Sequence, residues 1–142
     1  MISMLGNTQG EGPGGFLLMD QDFEIVGRWE SSTQGMHFSY DFWYQPRLNV
    51  MVSSEWAAPN TFTLGFELQD VEARKYGRRL HSWDWQQRRI QQTVDLGPEG
   101  LIPLAVRFHH NPNSPHGFAG AALSSVIPSA AALPRSRSSS RS

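Results

Sequence analysis

Apolar residues come in short runs along this chain, often alternating with polar ones, and most runs end at glycine, proline, asparagine or aspartate. That rhythm predicts strands joined by tight turns rather than long helices. Residues 1–5 read as a short apolar strand, and residues 6–15, rich in Gly, Asn, Gln and Pro, as a loop. Residues 16–19 form an apolar strand closed by Asp20, residues 21–22 a turn, and residues 24–29 the returning strand. Residues 30–36 are polar and loop-like. Strands are predicted over 40–44 and 49–53, separated by Gln45-Pro46-Arg47-Leu48, where proline at the second position suits a β-turn. Residues 57–65 are irregular, and 70–76 read as one short helix. Residues 80–85 and 90–96 make a further hairpin, 97–100 a turn, and 104–110 and 118–123 the last strands.

The pattern repeats. An apolar strand ending in Asp20, a polar turn and a returning strand precede Phe42-Trp43-Tyr44-Gln45-Pro46 and Val50-Met51-Val52-Ser53-Ser54. A second copy runs from the strand ending in Asp84 through Phe108-His109-His110-Asn111-Pro112 to Ala122-Leu123-Ser124-Ser125. Met1-Ile2-Ser3 resembles the strand that would close an earlier copy. Recurring hairpins of this kind predict an all-β fold, about two blades of a β-propeller. The strand ending in aspartate and its successor belong to the outer part of a blade, and the strand ending in Ser-Ser lies nearer the axis. The competing reading is a single β-sandwich. A blade buries both faces against neighbours, so an incomplete ring is expected to expose apolar faces and to self-associate or recruit protein partners through open edges.

Composition changes this picture little until the C-terminus. The 142 residues hold five tryptophans and a formal charge of −1, which favours neither nucleic acid nor an acidic membrane surface as partner. Cysteine is absent, so disulfides, thiolate metal ligands and a cysteine nucleophile are excluded. No apolar run approaches the roughly 20 residues of a membrane span. A cytoplasmic location is the expectation. Residues 128–142, rich in Ser, Arg and Ala and without aromatics, are predicted disordered and foreign to the preceding 1–127, as an altered reading frame would leave them.

Candidate chemistry is sparse. Gly10-Glu11-Gly12-Pro13-Gly14-Gly15 lacks the Lys-Ser/Thr of a phosphate-binding loop and precedes a strand. His109 and His110 end a predicted strand, and neighbours on a strand point to opposite faces, so a regular strand offers a metal only one of them. His37 reads as a loop residue and His81 as a strand-surface one. Asp41 with Trp43, and Glu55 with Trp56, pair an acid with a large aromatic at strand ends. Such a pair makes a polar site, or else a turn cap beside a space-filling ring. Asp20 and Asp84 hold equivalent repeat positions, which points to a carboxylate accepting backbone N–H bonds in a turn.

Several segments together resemble one family. They are Tyr40-Asp-Phe-Trp-Tyr-Gln-Pro-Arg47, Asn49-Val-Met-Val-Ser-Ser-Glu-Trp-Ala-Ala-Pro-Asn60, Trp83-Asp-Trp-Gln86, Gly100-Leu-Ile-Pro-Leu104, Arg107-Phe-His-His-Asn-Pro112 and Gly117-Phe-Ala-Gly-Ala-Ala-Leu-Ser-Ser125. In order and spacing they are similar to the selenium-binding proteins, the methanethiol oxidases, over residues 1–127, as an internal section. The resemblance implies a seven-bladed propeller of cytoplasm and nucleus. It implies an oxidoreductase converting methanethiol, oxygen and water to formaldehyde, hydrogen sulfide and hydrogen peroxide. It also implies association with selenium and a histidine-held copper, chemistry that imidazole donors suit. His110 is the residue it marks as a possible copper ligand, with Glu55 and Asp41 as supporting acids; catalytic residues are not assigned. The family's selenium-linked cysteine has no counterpart here, and most of its histidines lie outside the resembling stretch. The chain alone is therefore expected to be inactive, with an interaction module or a functionless transcript product as the alternatives.

Overall fold

The structure is a computed structural model that describes residues 1–63 and 65–123. Among the described residues, three antiparallel sheets follow one another in sequence. The first comprises β1 (Ile2–Met4), β2 (Gly15–Met19) and β3 (Ile25–Arg28), in that order. The second comprises β4 (Phe42–Gln45), β5 (Val50–Ser54), β6 (Arg79–Asp84) and β7 (Arg89–Asp95), an up-and-down meander in chain order. The third is the hairpin of β8 (Leu101–Phe108) and β9 (Gly117–Leu123). Two short helices, α1 (Asn60–Thr63) and α2 (Leu68–Glu72), lie in the excursion between β5 and β6. The fold class is thus all-β in character. The predicted helix over 70–76 begins and ends earlier, because Arg74 adopts φ 56° and Lys75 N–H turns back to the Asp70 carbonyl. The expectation for residues 128–142 lies outside the described residues.

Turn chemistry fixes the strand ends. Asp20 Oδ1 accepts N–H bonds from Asp22 and Glu24, both at 2.9 Å. Asp84 Oδ1 accepts from Gln87 N–H at 2.7 Å. The two repeat-equivalent aspartates therefore do what their positions predict, supplying a carboxylate to orphan donors of a hairpin loop. These loop bonds, led by that from Gln87, also hold the Asp84 carboxyl below its ordinary value. Between β4 and β5 the chain makes a 3₁₀ turn over Pro46–Leu48 and passes through Asn49 at φ 52°. Asparagine tolerates that left-handed conformation better than most residues. Asn49 Oδ1 then accepts Gln86 N–H at 2.9 Å, which ties this turn to the β6–β7 turn.

The main core lies between the first and second sheets. Phe16, Met51 and Trp83 are fully buried there, joined by Trp29 and Met36. Phe16 meets Trp29 and Trp83 edge-on at 5.9 and 5.5 Å, a geometry that suits the opposed edge and face charges of aromatic rings. Trp83 Nε1 donates to Ser53 Oγ at 2.9 Å, so the indole is buried without losing a hydrogen bond. A smaller cluster of Ala57, Tyr76, Leu101 and Ile102 packs the start of β8 beneath the helical excursion. No helix among the described residues is long and apolar enough to cross a membrane.

The repeat is less regular than its motifs. Phe42 opens β4 and faces Ser53, whereas Phe108 closes β8 and faces Gly117. The β8–β9 hairpin is longer than β4–β5, so the two Phe-to-Pro segments lie at different levels of their sheets.

Candidate functional site

The chemistry-bearing side chains fall into three places. The first is a cleft of about 560 Å³ bounded by His37, Glu55, Arg74, Tyr76, Arg79 and Leu101. Glu55 follows directly on β5 and is 2% exposed. Its Oε1 accepts from His37 N–H at 2.7 Å and faces His81 Nε2 at 2.9 Å, with Phe38 N–H at 3.4 Å. A carboxylate can only accept, so His81 Nε2 carries the proton of that bond. On its other side His81 Nδ1 meets Thr93 Oγ1 at 2.9 Å, across the β6–β7 register that sets His81 opposite Thr93. Burial pushes the Glu55 carboxyl up, but the hydrogen bonds from His81 and from the His37 N–H outweigh it. Its pKa falls below the ordinary 4.5. An ionised carboxylate thus clamps the crossing between the first two sheets onto β6. His37 Nε2 lies 3.2 Å from Arg79 Nη1, and an arginine can only donate, so that ring nitrogen accepts.

His81 departs from its reading as a surface residue, since it is completely buried. The signal was in the alternation: His81 and Trp83 are two apart on one strand and share a face, and tryptophan marks that face as inward. Thr93 and Arg79 were likewise not singled out, and only the strand pairing brings Thr93 to His81 and Arg79 to the cleft.

The second place is Asp41, just before β4. Asp41 Oδ2 accepts from Val106 N–H at 2.9 Å and binds the Arg107 guanidinium. The same guanidinium lies over the Trp43 ring, 4.8 Å from its centroid. Asp41 therefore fastens β8 to the second sheet, and Trp43, 46% exposed, is roofed by a cation rather than filling the core.

The third place is the tip of the β8–β9 hairpin. The strand ends at Phe108, so His109 and His110 escape the alternation expected of them. Their rings stack at 4.2 Å instead of diverging. His109 Nδ1 accepts from Asn111 N–H at 3.1 Å, and His116 Nδ1 meets Ser114 Oγ at 3.1 Å. All three histidines are exposed. Among the described residues no group of three or more His, Asp or Glu is placed to hold one metal ion. His110 has the donor type copper prefers. The described residues do not, on their own, make up a copper site.

The model of the 56 kDa selenium-binding protein family matches residues 1–132. The chain belongs to the 56 kDa selenium-binding protein family. The match runs past Ile127, the last residue of the resemblance read from the motifs. Methanethiol oxidases of Xenopus laevis and of human are each 55% identical to the chain over 128 residues, covering 89% of it. The chain spans 27% of the length of either relative. A solved structure of a hypothetical selenium-binding protein from Sulfolobus tokodaii superposes with a TM-score of 0.81 at 40% identity, over 87% of this chain and 27% of that one. The selenium-binding family therefore accounts for the sheet arrangement, and the cleft, the Asp41 anchor and the histidine tip are features of a family member.

Proposed function

We propose that this chain is a section of a β-propeller methanethiol oxidase. The reading rests on its 55% identity to proteins of that name. The sheet order supports the propeller. The β4-β5-β6-β7 meander has the form of one blade, β1-β2-β3 that of the last three strands of the blade before, and β8-β9 that of the first two strands of the blade after. In the complete protein the reaction takes methanethiol, oxygen and water to formaldehyde, hydrogen sulfide and hydrogen peroxide, in cytoplasm or nucleus. Copper would supply its oxygen chemistry, and His110 would be one imidazole among ligands drawn from several blades. Selenium association would belong to parts of the family outside this stretch. The chain's own residues then have supporting tasks. Glu55 and His81 hold the His37 crossing in place, and Asp41 sets the hairpin that carries His110.

The exposed apolar residues Phe23, Ile25 and Val26 at the β3 edge, each more than half accessible, favour a second role as an interaction module. Both readings are separated by a chimera in which residues 1–132 replace the matching stretch of human methanethiol oxidase. Peroxide formation from methanethiol at a rate near that of the parent is expected, with loss of about one copper-ligand's worth of affinity on His110→Ala, on the order of tenfold or more. A folded chimera without turnover would rule out the oxidase reading.

A further inference from the structure

Between the β8–β9 hairpin and the second sheet lies a recess of about 270 Å³ that none of the three places above accounts for. Trp43, Val52 and Leu80 form its sheet side, and Val106, Phe118 and Ala119 its hairpin side. Phe108 also lines it, two residues before His110. Arg107 is the single charged residue among those lining it, and no acid faces in. Asp41 and the Val106 carbonyl hold that guanidinium in place over Trp43. Two small residues of β9, Gly117 and Ala119, line the recess and leave room that larger side chains would fill.

We infer that this recess binds a small aliphatic thiol or thioether. An apolar cavity of about 150 Å³ already holds a benzene-sized molecule, so the volume suits a ligand of few heavy atoms and excludes a nucleotide or flavin. The aromatic walls offer the ring contacts that divalent sulfur favours. The lone cation favours a polarisable or anionic sulfur over a hydrocarbon. This deepens the oxidase reading and rests on it for the identity of the natural ligand, since the recess lies beside the hairpin tip that carries His110.

The test uses dimethyl sulfide, which has no S–H to oxidise, titrated into the metal-free chain. The Ala119 and Val52 methyl signals and the Trp43 indole signal are followed by NMR. Saturable shifts confined to these groups are expected. Ethylene glycol, similar in size but polar, is expected to cause none. Ala119→Leu fills the recess and is expected to weaken binding about tenfold or more while leaving the Trp83 signal in place. Phe118→Ala, at a position 65% exposed, is expected to weaken it in the same direction and serves where the larger variant does not fold. Shifts that never saturate, or binding indifferent to both variants, would overturn the assignment. Failure here concerns the recess alone, because no metal and no turnover enter the measurement. A chimera without turnover would instead remove the oxidase reading and leave dimethyl sulfide binding untouched.

Discussion

Replacing Glu55 by glutamine tests the clamp at the head of the cleft. The carboxylate sits 2% exposed and accepts from His37 N–H at 2.7 Å and His81 Nε2 at 2.9 Å. Glutamine keeps the shape and one acceptor oxygen but loses the charge. A hydrogen bond to a charged group contributes about 1.5–3 kcal/mol. Losing the charge assistance on two such bonds, with part of each retained, is expected to cost about 2 kcal/mol. Glu55→Ala removes the acceptor altogether and strands the His81 N–H in a buried site, so about 3–5 kcal/mol is expected. The acid side provides a second readout. The folded-state pKa of Glu55 lies below 4.5. Its contribution to stability is therefore fully present above about pH 4.5 and is lost as pH falls through the lowered value. Urea denaturation of the chain, followed by tryptophan fluorescence at pH 7, 5, 4 and 3, measures both effects. The wild type is expected to lose stability below pH 4.5 more steeply than Glu55→Gln. A glutamine variant as stable as the wild type at pH 7, with the same acid slope, would refute the clamp.

Asp41→Asn removes the charge that holds Arg107 and weakens the bond from Val106 N–H. Hydrogen exchange at the Val106 amide is expected to quicken about tenfold, with β6–β7 amides unchanged; equal change in both would contradict the anchor. Trp83→Phe empties part of the main core and leaves Ser53 Oγ without its donor, at an expected cost of about 2–3 kcal/mol in urea midpoint measurements. Asp84→Asn is expected to flatten part of the acid-dependent loss of stability, since the Asp84 carboxyl is also held low and its contribution is lost as pH falls through that lowered value. An unchanged acid slope would show the β6–β7 turn to be indifferent to that charge.

What could be read from the chain alone followed from local chemistry. Asp20 and Asp84 announced their turns because a carboxylate two to four residues before the amides of a tight turn is placed to accept from them. The strands around Pro46 were legible because proline and asparagine fix the backbone where β4 meets β5. The site was less legible because it is made by pairing. Nothing near His81 in sequence says that Thr93 and Glu55 will flank its ring, since one lies across a hairpin and the other across the helical excursion. His109 and His110 were assigned alternating directions on a strand that stops at Phe108, two residues too soon for that rule to hold. The equivalence of Phe42 and Phe108 failed for a similar reason: motif spacing records the turn, while sheet level depends on hairpin length.

The most direct measurement is the activity of this chain by itself. With copper added and oxygen present, methanethiol consumption and peroxide release are followed beside a complete relative such as the human methanethiol oxidase. The chain is expected to stay at the copper-only background and to lose its copper on dialysis, because among its described residues no group of three or more His, Asp or Glu is placed to hold one ion. Turnover comparable to the complete relative, with copper retained one to one, would contradict the account.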